Sequence, residues 1–421
     1  MIRKFIVGMM CFAAFGMQAQ DGTVSPFSFF GIGDSRINGT VENQMMGGLS
    51  MYGDSIHLNL LNPAAYSKLR LTVYTGAISR NEFTLKDFTT EEKASVTNVD
   101  YLAVGLPLGK GFGAGFGVMP ISSVGYNILS ESVNANDAAV TNVFSGSGGL
   151  NRVFISVGYE ILPNLRLGVT VNHDFGTLKS ERIQSVENVQ FGTIDRRESR
   201  VNGFDFNYAL NYEQALKKNY TLYSSLIVNT QANLVSDNIQ RIGSFSTTTG
   251  TDIEVLEVDL ERQGLKRSEV KIPTTATLGL GIGIDKKWFV GAEYSFQELN
   301  KFNNEFIRVD NVGYNNANSI AVGGFYVPDY TSFTSYYKRV TYRAGFKYSQ
   351  TGMTINNEEI DNIGITFGLS LPLGGGFSNV NLGFEIGKRG TTDANLIEEN
   401  YFKLNLGISL NDKWFLKRKI N

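Results

Sequence analysis

Only two histidines, His57 and His173, and one cysteine, Cys11, occur in the 421 residues. Two imidazoles and one thiol cannot assemble a histidine cluster or a thiolate zinc site. His173 is followed by Asp174, which with a serine would suggest nucleophilic hydrolysis. In an extended chain, however, His173 shares its face with Val169 and Val171, turned away from Asp174. The glycine runs Gly146 to Gly149 and Gly279 to Gly283 lack the strand–turn–helix setting of a phosphate loop. Glu254 to Glu261 is acidic, and solvated loop charge explains it more simply than a calcium site. No catalytic residue, metal site or cofactor is expected. What remains is a set of charges of both signs, namely Arg152, Glu160, Arg166, Glu293, Arg339, Arg343, Lys347, Glu385 and Lys403. All share one parity with respect to their apolar neighbours. Ions such as Glu293 and Glu385 on an enclosed face pair with cations across it or anchor an inserted segment. Arg339, Arg343 and Lys347, four residues apart in turn, could instead bind a carboxylate head group.

The elements that must carry these charges are strands. Aromatics make up 12% of the chain, charged residues only 19%, and there are 46 Gly against 8 Pro. No apolar run outside the N-terminus is long enough for a membrane helix. From about Leu71 the period is 2, again and again. Phe204, Phe206, Tyr208, Leu210 and Tyr212 alternate with Gly203, Asp205, Asn207, Ala209 and Asn211. Phe402, Leu404, Leu406, Ile408 and Leu410 alternate with Lys403, Asn405, Gly407 and Ser409. One face is hydrocarbon; the other is charged, polar or small.

Fourteen such strands are predicted: 71–80, 97–108, 111–122, 151–161, 165–176, 201–214, 219–231, 273–284, 287–299, 318–327, 337–349, 361–373, 378–388 and 401–410. Most exceed the roughly 5–6 residues of a globular strand and match a tilted membrane strand. Their connections alternate between short and long, the long ones at 81–96, 123–150, 177–200, 232–272, 300–317, 350–360 and 389–400. Pro107, Pro163, Pro328 and Pro372 all fall on the short side. The fold class is therefore all-β, a 14-stranded antiparallel transmembrane barrel with both termini in the periplasm. Ahead of it, Arg3 and Lys4 followed by an apolar core and Ala19 read as a secretory signal over 1–19. Its removal takes away the cysteine and leaves 36 basic residues against 40 acidic, which disfavours nucleic acid as a partner. Residues 20–70 have no sustained period, and residues 71–421 form the barrel.

The hairpin at 101–124 sets Gly111, Gly113, Gly115 and Gly117 against Phe112, Ala114, Phe116 and Val118. A face without side chains leaves room for something inside. The aperiodic segment carries Met46-Gly47-Gly48-Leu49 and then Leu61-Asn62-Pro63-Ala64-Ala65-Tyr66, just before the first strand. Asn62 can cap a helical turn begun by Pro63, or reach the barrel wall. These residues resemble the hatch of the FadL/TodX family of outer-membrane transport proteins, in a divergent branch. The resemblance implies a barrel closed by a short N-terminal hatch, with Gly47, Gly48, Asn62, Pro63 and Ala64 as its motif. It also implies passive passage of hydrophobic molecules such as long-chain fatty acids. The family often has Gly where this chain has Ala65.

At the C-terminus Trp414-Phe415 precede Lys417, Arg418 and Lys419, as at a periplasmic girdle. Two function classes follow. One is a passive outer-membrane transporter in contact with lipid and hydrophobic solutes. The other is an accessory subunit of an outer-membrane secretion or barrel-assembly complex, with other outer-membrane proteins as partners. A transporter should bend an early strand inward near Gly111 to Gly117. An accessory subunit should present a sealed lumen and an apolar patch.

Overall fold

The computed structural model describes residues 22–36, 39–307, 309, 311–374 and 377–413. The proposed signal segment with Cys11, and the C-terminal Trp414 to Lys419, lie outside the described residues. Fourteen antiparallel strands close into a barrel. The first seven are β1 (Thr72–Lys86), β2 (Glu91–Gly109), β3 (Phe112–Val133), β4 (Ala139–Leu162), β5 (Leu165–Val186), β6 (Phe191–Ala215) and β7 (Thr221–Asn229). The others are β8 (Thr275–Ile284), β9 (Trp288–Gln297), β10 (Ala317–Tyr326), β11 (Thr341–Ile355), β12 (Glu358–Pro372), β13 (Asn379–Arg389) and β14 (Glu398–Asp412). Closure runs through β1 and β14, with Thr72 opposite Asp412 and Lys86 opposite Glu398.

All fourteen expected strands are present, but several are longer than the period suggests. The segments expected as long loops at 81–96, 123–150 and 177–200 are mostly strand. Beta-3 and β4 stay paired as far as Val133 opposite Ala139. The sequence hides this because period 2 needs one apolar face, and strand that rises beyond hydrocarbon has none. Likewise Ala232–Ser246 pairs with the upper part of β6, and Arg267–Ile272 pairs with Ala232 to Asp237. The connection between β10 and β11, on the short side, is in contrast long and aromatic, exposing Tyr330, Phe333, Tyr336 and Tyr337.

The parity holds around the wall. Phe206, Tyr208, Leu404 and Leu406 point outward and stay exposed, whereas Asn207 and Asn405 are buried inside. His173 packs between Phe175 and Phe204 on the outer face while Asp174 is buried within. Leu406→Arg at the centre of β14 should cost about 2–4 kcal/mol, read by chemical denaturation in bilayers. An unchanged midpoint would remove Leu406 from the lipid face. Asn405→Arg cannot serve as the mild control that alternation alone suggests. Asn405 is 1% exposed, and Val41 and Met45 pack over the neighbouring Gly383.

The packed core lies inside the barrel, between its wall and the N-terminal segment. Val41, Met45, Leu58, Leu60, Tyr66 and Leu69 cluster with Val73, Tyr101 and Phe154 of the wall. Met46, Leu49 and Met51 cluster with Tyr223, Phe289 and Phe325 on the opposite side.

Candidate functional site

The N-terminal segment turns back on itself through the four-residue helix α1 (Val41–Gln44). Asn43 Oδ1 accepts from Thr40 N and Thr40 Oγ1, and Asn43 Nδ2 donates to Leu49 O at 2.7 Å, so one side chain ties both ends of the turn. Gly47 and Gly48 then take φ of +73° and +94°, which glycine adopts without strain. Gly47 N donates to Thr366 Oγ1 at 2.9 Å, fixing the turn to β12. The wall is bare where this backbone arrives. A Cβ on Gly345 would lie 2.2 Å from Gly47 N, and one on Gly323 would lie 2.3 Å from Met46 O.

The second motif behaves the same way. Asn62 is fully buried and caps the turn Pro63–Lys68, accepting from Ala64 N at 3.1 Å. Its Nδ2 also donates to Asn211 Oδ1 on β6 at 3.0 Å and to Ser50 O at 3.1 Å. Capping and reaching the wall are thus done by one side chain. Pro63 and Ala64 lie against Gly168, where a Cβ would be 2.1 Å from Ala64 N. Of the glycines in the hairpin, Gly113 and Gly115 face Tyr66. Gly111 sits in the turn and Gly117 packs on Leu102 and Ala103 of the next strand, so neither makes room for the segment.

Of the inward charges, Glu293 and Lys403 hold the segment, while most of the others pair within the wall. Glu293 Oε1 accepts from Ser50 N at 2.7 Å and Met51 N at 2.6 Å, gripping the segment from β9. Lys347 meets Glu385 at 2.6 Å, Tyr401 donates to the same carboxylate, and Lys403 donates to Gln44. Arg152 makes a two-pronged contact with Asp174 and a further one with Asp205. The expected cationic triple is broken. Arg339 and Arg343 line a cavity on the short-turn side, but Lys347 lies beyond Gly345, where Met46 and Gly47 cross.

Two hollows flank the segment. On the long-loop side a cavity of about 330 Å³, mainly apolar, is walled by Phe27, Phe30, Ile32, Met119, Phe302 and Tyr314, with Arg152, Asp205, Asp34 and Arg389 on its polar side. On the short-turn side a cavity of about 460 Å³ is walled by polar and aromatic side chains. Beside the apolar cavity the barrel wall comes apart. Beta-2 and β3 pair only from Leu102 opposite Val118 down to Gly109 opposite Phe112. Above that point β3 departs, near Pro120, which has no N–H to offer a ladder, and not at Gly111 to Gly117 as expected. Residues 34–36 cover the opening. Asp34 and Ser35 pair with Ser123 and Ser122 of β3, and Arg36 binds Asp100 of β2 at 2.7 Å. Asp34 in turn binds Arg389, which also holds Glu399.

Sequence reading missed several of these groups. Arg36 and Asp34 meet partners 64 and 355 residues away, Asp100 and Arg389. His57 was missed although its partner is local: its Nδ1 lies 2.5 Å from Asp54 Oδ2, three residues back, in the cavity on the short-turn side. Burial opposes charge on both, yet the pair prevails. The imidazolium beside it, with two backbone N–H groups, holds Asp54 down at about 2, and Asp54 raises His57. The raised histidine contributes stability below about pH 6.5 and loses it as pH rises through its own higher value. The lowered carboxyl contributes above about pH 3.9 and loses it as pH falls through about 2. The 54–57 turn should therefore be tightest between these limits. An NMR titration should place His57 above 6.5, and Asp54→Asn should bring it down; no change would break the pairing. Among the described residues, no three His, Cys, Asp or Glu side chains gather as metal ligands.

A comparison with curated proteins finds no match. Among solved structures, the Pseudomonas putida toluene transporter TodX is 16% identical, with a TM-score of 0.59 over 89% of this chain and 98% of that one. The Ralstonia pickettii toluene transporter TbuX is 12% identical, with a TM-score of 0.56 over 92% and 99%. A Pseudomonas aeruginosa FadL homologue is 12% identical, with a TM-score of 0.54 over 87% and 95%. The family model BamG matches residues 1–421. The chain thus belongs to the BamG family and is built on the barrel fold of the FadL/TodX transporters.

Proposed function

We propose that this chain is an outer-membrane barrel that admits small hydrophobic molecules and passes them on without catalysis. In this reading both termini face the periplasm and residues 20–70 act as the hatch. The observation that carries it is the apolar cavity above the segment, about 330 Å³ in volume and within the size range of small-molecule sites. It sits beside the unpaired stretch between β2 and β3, so a bound solute is separated from lipid chiefly by residues 34–36. Sideways release suits an apolar solute, because its surface passes into hydrocarbon without being hydrated. The solved neighbours described as toluene transporters and monoaromatic hydrocarbon channels support the same solute class. The test is toluene entry into proteoliposomes. The intact protein should exceed empty vesicles, and Phe302→Arg should remove most of the excess. Equal entry with and without protein would end this reading.

The full-length match to BamG favours a second reading, an accessory subunit of an outer-membrane barrel-assembly complex. The dense packing of Tyr66, Met45 and Leu49 inside the barrel supports it, as does the exposed aromatic connection Tyr330 to Tyr337. A mild-detergent pull-down decides between the two. Stoichiometric barrel or lipoprotein partners, together with vesicles impermeable to toluene, would establish the second.

A further inference from the structure

The cavity on the short-turn side is separate from the apolar one, and its chemistry is different. Six lysines and arginines line it against four carboxylates. Three of those carboxylates are occupied: Glu42 accepts from Asn381, Asp54 from His57, and Glu213 meets Lys68 and Arg166. Among the described residues Arg343 has no carboxylate within ion-pair distance. It is 8% exposed, its Nη1 donates to Ser370 Oγ, and its Nε has no partner among the described residues. Arg339 likewise leaves a buried Nε without a partner, with its guanidinium 5.5 Å from the Tyr336 ring. A buried guanidinium with free N–H groups is costly unless an anion completes it. Its planar fork suits a carboxylate, which can accept two parallel hydrogen bonds. The cavity walls include Tyr52, Tyr223, Phe325, Tyr330 and Phe377, and the Arg343 guanidinium lies 6.0 Å from the Phe325 ring. The volume of about 460 Å³ holds a small molecule or the last residue or two of a polypeptide, not a folded partner.

We infer that this cavity is a second binding site, for an apolar or aromatic group ending in a carboxylate, with Arg343 and Arg339 holding the carboxylate. Such a group can come from a free organic acid or from the C-terminus of a polypeptide. The site opens on the opposite face of the segment from the solute cavity, so it does not rest on the transport reading.

The test is calorimetry on the full-length protein in neutral maltoside micelles, with empty micelles subtracted. The probes are 4-phenylbutyrate, its amide, and the peptide acetyl-Phe-Phe as free acid and as amide. Both acids should bind at least tenfold more tightly than their amides. A further tenfold preference for the peptide acid would identify a polypeptide end; a preference for phenylbutyrate would identify a free acid. Arg343→Gln should abolish binding, and Arg339→Gln should weaken it at least fivefold. Arg339 stands outside the strands, so its variant carries the test should Arg343→Gln fail to give a heat-modifiable barrel. Phe302→Arg, in the other cavity, should leave acid binding unchanged while removing toluene entry. Equal affinity for acid and amide, no binding of either, or full binding by Arg339→Gln would each overturn the proposal.

Discussion

Arg152→Ala is expected to cost about 3–5 kcal/mol of barrel stability, the effect of stripping the cation from a buried ionic cluster. Arg152 binds Asp174 through Nε at 2.7 Å and Nη2 at 2.8 Å, and it also reaches Asp205. Asp174 is fully buried, and Asp205 and Asn172 nearly so. Alanine would leave two carboxylates facing each other with only Asn172 between them, at the edge of the cavity of about 330 Å³ that Asn172 and Asp205 also line. The loss therefore reflects abandoned charge more than the net worth of the original pairing. Replacing the whole cluster by Arg152→Met, Asp174→Asn and Asp205→Asn should recover most of it, since no charge is then left buried. Urea unfolding in bilayers measures both variants. If Arg152→Ala keeps the original midpoint, the carboxylates are solvated and the lumen at this level is wet.

Deleting residues 25–66 while keeping the first 20 residues should yield a folded, heat-modifiable barrel with sharply higher conductance in planar bilayers. The fourteen-strand ladder closes through β1 and β14 without any residue of the deleted segment. What the deletion removes is the inner half of the packing, including Val41, Met45, Leu49 and Tyr66. The inward groups it strips of partners, Glu293, Asn211 and Thr366, would then meet water in an open lumen, where a lone carboxylate costs little. The glycines at 113, 168 and 345 would face space in place of backbone. Loss of the contacts at residues 34–36 would also uncover the opening between β2 and β3. A deleted form that conducts no better than the intact chain would show that the segment does not close the lumen. The accessory-subunit reading would then gain.

The strands and their facing were legible in the sequence, because a strand between lipid and lumen must alternate. Leu404 and Leu406 against Asn405 and Gly407 need no partner to be read. The charges were legible as inward for the same reason, and so was Asn62, whose cap is local. Whatever depends on strands that meet across the barrel was not. Arg339, Arg343 and Lys347 share one parity, yet the crossing of Met46 and Gly47 at Gly345 separates Lys347 from the two arginines. Arg36 with Asp100, and Asp34 with Arg389, are joined only because β2, β3 and β13 bring them to one level. The strand extensions at 123–133 and 139–150 were missed because polar strand outside hydrocarbon carries no period. Solvent sets the pattern along a strand and writes it into local sequence. Registers and crossings are set by closure of the whole barrel, so the two cavities, the opening in the wall and the residues that cover it were decided by tertiary structure alone.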